Sequence, residues 1–252
     1  YITLSDIYLL MGQPDPAGGA LKKALELDPS NNDALLKSAR LCLIQRDYQG
    51  TNGFVQQAIR NRPNNPVAYY IHALALLETG DTLHAVSDLL QANSMDQKNY
   101  DVLVQLGELL ALKKDPLAAG YLKNAIALRP GSREALYMLG MFYQETGQYG
   151  LALQTYDLLS RVDTTYRNAP YNTGYIYLVY LHDFDKAVYY FSQALKRDPV
   201  WVEAWFNRGY AYELKKDYAK AAADYQKALQ LHPNYEKAVE GLNRLDKVQQ
   251  GR

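Results

Sequence analysis

The alternation of apolar and polar positions is plainest between Val202 and Asn234. Trp205, Gly209 and Tyr212 share one helical face, Lys215-Lys216-Asp217 interrupts it, and Ala221, Tyr225 and Ala228 then recur at i, i+4 and i+7. This predicts two amphipathic helices joined by a tight turn. The second helix should stop before His232-Pro233-Asn234, because proline cannot continue a helix and pushes the preceding residue out of the helical region. Small residues at Gly209, Ala221 and Ala228 let the two helices approach, and the aromatics fill the space around them. The same arrangement returns along the whole chain. Ala24, Ala58, Ala92, Ala125, Leu159, Ala194 and Ala228 are separated by 34, 34, 33, 34, 35 and 34 residues. Pro29, Pro63, Pro130, Pro199 and Pro233 fall five residues after five of them. Two residue types holding one period describe a tandem array of helix pairs, each stable only when stacked on its neighbours.

The residues that carry this period resemble the tetratricopeptide repeat family. Its pattern has Trp at position 4, Leu-Gly at 7–8, Tyr at 11, Ala at 20, an aromatic at 24, Ala at 27 and Pro at 32. The stretch from Glu203-Ala204-Trp205 to Asn234 follows it closely, as do Leu139-Gly140-Met141-Phe142-Tyr143 and Ala152 to Tyr156. The resemblance implies an all-α fold, a right-handed α-α superhelix. It divides the chain into seven repeats at 1–31, 32–65, 66–99, 100–132, 133–166, 167–201 and 202–235, with 236–252 as a capping helix. Tyr1 already stands at position 4, so the first repeat is expected to lack about one helical turn. With no initiator methionine, the chain is expected to be a fragment or a mature form, with room upstream for a signal peptide, a lipid-attachment cysteine or another domain. The tyrosine-rich style resembles repeat proteins tethered outside the bacterial inner membrane. That implies a bacterial lipoprotein in a periplasmic or membrane-tethered location, with the cytoplasm as the alternative. Gly18-Gly19, Gly50 and Gly53 interrupt second helices, so the amino-terminal end is expected to be the softer one.

Charge and composition narrow the chemistry. The 252 residues carry 27 basic and 27 acidic side chains, a balance that argues against a strongly basic nucleic-acid binder. No apolar run reaches the roughly 18–20 residues that span a bilayer. Cys42 is the only cysteine, and it stands where Tyr143 and Tyr212 pack in other repeats, so a packed thiol is expected rather than a nucleophile. His72, His84, His182 and His232 lie in different repeats without metal-ligand spacing. No glycine-rich phosphate loop and no defensible acid–base pair is present. A non-enzymatic chain with no cofactor and no metal is expected.

The family resemblance also implies a binding face. Its ligand-facing positions in each first helix are 2, 5, 6, 9, 12 and 13, on the concave side of the stack. Here they bring Tyr70, Tyr137, Met138, Met141, Tyr171, Tyr175, Phe206 and Tyr210 together with Asn172 and Asn207 at position 6. The acids are Asp6, Asp33, Glu78, Asp101, Glu108, Glu134, Glu145, Glu203 and Glu213, with Arg40 as a base at a matching position within the seven repeats. First-turn acids such as Asp33, Asp101, Glu134 and Glu203 also complement the helix dipole. Chaperone-tail-binding members grip a carboxylate with lysine and arginine. The equivalent positions Tyr171, Tyr175, Glu203 and Asn207 keep only asparagine, so that clamp is not expected. The implied function is a protein–protein interaction scaffold for an extended, neutral-to-basic peptide. Its partner site comprises Tyr70, Glu108, Tyr137, Met141, Glu145, Tyr171, Asn172, Tyr175, Phe206, Asn207, Tyr210 and Glu213. The asparagine amides are expected to bond the partner's backbone. The alternatives are a structural subunit that uses its convex face or an array end, including self-association, and an accessory domain of a larger protein.

Overall fold

The computed structural model describes residues 1–250, so positions 251 and 252 of the expected capping segment lie outside the described residues. Among the described residues the chain is all-α, with fifteen helices and no strand. The helices fall into two compact units. The first unit, Tyr1–Leu128, contains α1 (Ile2–Leu10), α2 (Pro14–Leu27), α3 (Asn32–Ile44), α4 (Tyr48–Asn61), α5 (Pro66–Glu78), α6 (Thr82–Met95), α7 (Tyr100–Leu112) and α8 (Leu117–Leu128). The second unit starts at Arg129 and contains α9 (Arg133–Glu145), α10 (Tyr149–Val162), α11 (Asn168–Val179), α12 (Phe184–Arg197), α13 (Val202–Leu214), α14 (Tyr218–Leu231) and α15 (Glu236–Gln249). In each unit the helices form hairpins stacked in chain order, the solenoid architecture expected from the period.

Local chemistry sets the hairpins. The turn inside every pair carries one residue with left-handed backbone: Gly12, Arg46, Gly80, Lys114, Gly147, His182 and Lys216, with φ between 53° and 85°. Glycine adopts that conformation at no steric cost, whereas a side-chain-bearing residue is strained there. His182 is therefore a turn residue. Most second helices begin at an aspartate immediately after this residue. The Asp47 carboxylate accepts from the Gly50 N–H at 2.8 Å, and Asp81, Asp183 and Asp217 repeat the arrangement. First helices start at Asn31, Asn65, Asn99 and Ser132, each accepting from a backbone N–H of the first turn.

The core follows one recurring contact between a small residue on the first helix and a large one on the second. In the second unit a Cβ added to Gly140 would stand 2.5 Å from Tyr156 Cε1, and one added to Gly209 would stand 3.0 Å from Tyr225 Cε1. Tyr156, Phe191 and Tyr225 are fully buried as a result. The first unit fills the same positions with aliphatic groups, Val55, Leu89 and Leu122, all inaccessible to solvent. Each cluster extends into the following pair: Leu35, Ala39, Val55 and Ala58 pack with Ala68 and Ile71. The last pair is closed by α15, whose Ala238 and Leu245 join Ala221, Tyr225 and Ala228.

A buried ion pair reinforces the second unit. The Arg208 guanidinium donates to both Asp224 oxygens at 2.7 Å and to Ser192 Oγ at 3.1 Å, and lies 4.6 Å from the Trp205 ring centroid. Asp224 is only 5% exposed. Three helices, α12, α13 and α14, meet at this one guanidinium.

Candidate functional site

The expected partner residues divide between the units. Tyr70 and Glu108 belong to the first, where both are half-buried and Tyr70 packs on the core around Ala73 and Leu89. All the others belong to the second, on α9, α11 and α13. There the aromatic side chains of the first helices pack on rings of the junctions, of the second helices and of their own helix. Tyr137 meets Tyr166 edge to face at 5.5 Å, and Tyr175 meets Tyr180 at 6.1 Å. Tyr171 stacks on Trp201 at 4.2 Å and touches Phe191 at 5.6 Å. Phe206 contacts Tyr210, Tyr225 and Tyr235 at 6.3, 5.6 and 5.7 Å. Each of these rings on the first helices stays half-buried, with one part packed and one part accessible.

The asparagines are placed differently from expectation. Asn172 is 9% exposed, and its Nδ2 donates to Tyr156 Oη at 3.1 Å and to Met141 Sδ at 3.3 Å. Tyr156 Oη in turn donates to Gln144 Oε1 at 3.1 Å. Both amide hydrogens of Asn172 thus bond inside the protein, because a phenol from the preceding second helix lies opposite. Asn207, half-buried, donates to Tyr171 Oη at 2.8 Å. Phe191 occupies the place of Tyr156 in that pair and has no hydroxyl, so Asn207 turns to the ring of the preceding first helix instead.

The acids separate in the same way. Glu213 is bonded by Arg244 of α15 through Nε at 2.8 Å and Nη2 at 2.9 Å, and accepts from Tyr225 Oη at 2.5 Å. Burial pushes its carboxyl pKa up, but the Arg244 and Tyr225 hydrogen bonds outweigh this and hold it below the usual carboxylate range. The expected free acid is a fastener for the last helix. Glu145 and Glu203, by contrast, are exposed and form no ion pair among the described residues. Glu203 acts at a distance: burial raises the phenol pKa of Tyr171 and of Tyr235, and the Glu203 charge raises each further. The second unit therefore presents packed rings beside exposed carboxylates, Glu145 and Glu203 among them, that lack an ion pair among the described residues.

Trp201 was not singled out in the sequence, because it caps the start of α13 rather than lying on a helix face. Its signal was available in the spacing, for Tyr166, Trp201 and Tyr235 each stand at the junction before a first helix. No group of three or more histidine, cysteine or carboxylate side chains suited to a metal occurs among the described residues. No described helix is long and apolar enough to cross a membrane.

Comparison with known proteins gives these features a context. A family model described as tetratricopeptide repeat matches residues 2–66, 108–171 and 176–236. The chain is 27% identical over 249 residues to the human protein O-mannosyl-transferase TMTC3, which covers 96% of this chain and only 27% of that protein. Among solved structures, the C-terminal part of a TPR repeat-containing protein from Cytophaga hutchinsonii superposes with a TM-score of 0.81 at 18% identity, covering 96% of this chain and 99% of that one. YrrB, described as a TPR protein with an unusual peptide-binding site, is similar with a TM-score of 0.53 at 20% identity, covering 89% and 98%.

Proposed function

The chain belongs to the tetratricopeptide repeat family, and on that premise we propose that its second unit holds an extended, neutral-to-basic polypeptide against α9, α11 and α13. The observation that carries this reading is the row of half-exposed rings, Tyr137, Tyr175, Phe206 and Tyr210, flanked by the carboxylates Glu145 and Glu203, which are exposed and have no ion pair among the described residues. Rings of this kind give contact area at small entropic cost, and unpaired acids raise the association rate of a basic partner. Asn172 and Glu213 hold the frame in this reading, and Asn207 fixes Tyr171. Tyr70 and Glu108 are a separate extension in the first unit. The division into seven repeats and a capping helix is part of the same proposal. The role is non-enzymatic; the mannosyl transfer in the name of the human relative belongs to a protein of which this chain spans about a quarter.

A random peptide library selected on the purified protein tests it. The enriched peptides should be neutral to basic, lose affinity with Tyr175→Ala or Tyr210→Ala, and bind more weakly as salt rises. Acidic peptides, or peptides indifferent to both substitutions, refute the reading.

A further inference from the structure

A three-residue contact recurs at the junctions of the second unit. Arg133, the first residue of α9, pairs with Asp163 at 3.2 Å, and its guanidinium lies 5.4 Å from the Tyr166 ring centroid. One pair later, Arg167 at the start of α11 pairs with Asp198 and lies 4.5 Å from the Trp201 centroid. In both cases the arginine opens a first helix, the aspartate caps the following second helix, and the aromatic closes the junction. The third step places Val202, His232 and Tyr235 at these positions. The aromatic platform is kept. The arginine and its aspartate are gone.

What remains is a cleft of about 560 Å³ whose lining includes Trp201, Val202, Glu203, His232 and Tyr235 together with the Arg167–Asp198 pair. Tyr235 is half-buried and backed by Phe206, which it meets edge to face at 5.7 Å. Glu203, next to Val202, is exposed and has no ion pair among the described residues, and its charge reaches the Tyr235 phenol. A planar cation is the group this chain itself places over the equivalent ring twice, and a carboxylate without a counter-ion stands beside the vacated place. Val202 is too short and too apolar to fill it.

We infer that the cleft is a seat for a guanidinium group, the arginine side chain of a bound polypeptide lying over Tyr235 with Glu203 as its counter-charge. Arginine suits the place better than lysine, because a planar guanidinium can stack on a ring while its edge meets a carboxylate. The inference rests on the reading that this unit binds a polypeptide, and assigns the residue that one subsite selects.

The test is a nuclear magnetic resonance titration of the full chain with acetyl-Gly-Arg-Gly-amide and its citrulline counterpart, which keeps the shape and removes the charge. Saturable shifts at the Trp201 indole, Glu203 and Tyr235 are expected with the arginine peptide alone. Glu203→Gln should weaken them by up to about fivefold, the scale of one surface charge pair. The double variant Val202→Arg/His232→Asp should abolish them while retaining the melting temperature, since it rebuilds a contact already present at Arg133 and Arg167. Absence of saturation, an equal response to citrulline, or unchanged binding by the double variant overturns the seat. Failure of the wider reading has a different signature: Tyr175→Ala and Tyr210→Ala leave selected peptides unaffected while the arginine titration still saturates.

Discussion

Replacing Arg208 by alanine should be the most damaging single change of a charged residue in the second unit. The substitution removes a guanidinium that makes two hydrogen bonds of 2.7 Å to Asp224 and one of 3.1 Å to Ser192. The Asp224 side chain, 7% exposed, is left as an uncompensated carboxylate between α13 and α14. Breaking a buried pair from one side costs about 3–5 kcal/mol, a large share of the roughly 5–15 kcal/mol that holds a domain together. At a slope of about 2 kcal/mol per molar urea, the unfolding midpoint of this unit should fall by about 1.5–2.5 M. Urea titration followed by circular dichroism, with hydrogen exchange to localise the loss to α12–α14, measures it. An internal comparison sharpens the test. Arg161 and Asp157 also form an ion pair, at 2.5 Å, but their side chains are 76% and 58% exposed. Arg161→Ala should therefore change stability by no more than about 0.5 kcal/mol. In a double-mutant cycle Arg208→Ala and Asp224→Ala should be strongly coupled. Equal costs at positions 208 and 161, or additivity of 208 with 224, would refute the assignment of Arg208 as a three-helix tie.

The glycines make opposite predictions. Nothing stands within 4 Å of a Cβ at Gly19 or Gly53, so alanine there should stabilise the first unit by about 0.5–1 kcal/mol; Gly140→Ala drives a methyl into the Tyr156 ring and should destabilise by about 1–3 kcal/mol. Thermal melts of the three variants decide the signs. The depressed carboxyl pKa of Glu213 gives a contribution to stability that is present above the unfolded value of about 4.3 and is lost as pH falls through the folded value. Protection of α15 amides should accordingly decline in that acid range, and Glu213→Gln should flatten the decline. Burial, followed by the Asp47 charge, raises the Cys42 thiol pKa, so iodoacetamide should alkylate it more slowly than a free cysteine at pH 8, and Asp47→Asn should speed the reaction. Alkylation at or above the rate of free cysteine would contradict that environment.

The helix pairs were legible because periodicity is a local property: alanines and prolines at fixed spacing describe hairpins without reference to what lies opposite. The boundary at Leu128–Arg129 left no such mark, since the 33- and 34-residue spacing runs through it. The fate of individual site residues depended on partners far along the chain. Glu213 looked like a free acid because Arg244 lies 31 residues away on another helix. Asn172 looked like a ligand amide because the phenol of Tyr156, 16 residues earlier, is brought to it only by the folding of α10 against α11. Periodicity places a residue on a helix face. It does not say which hydroxyl or guanidinium the next helix delivers there.

The position of Trp201 and Trp205 has a consequence for any spectroscopic study of the chain. They are its only two tryptophans, one at the N-cap and one in the first turn of α13, the first stacked on Tyr171 and the second beneath Arg208. Intrinsic tryptophan emission therefore reports on the second unit and is silent on Tyr1–Leu128, whereas the far-ultraviolet signal weights all fifteen described helices. Unfolding curves recorded by the two methods should separate whenever the units differ in stability. Such a mismatch would reflect where the fluorophores sit, one unit reporting and the other dark, rather than a partly folded state on the way to the native one.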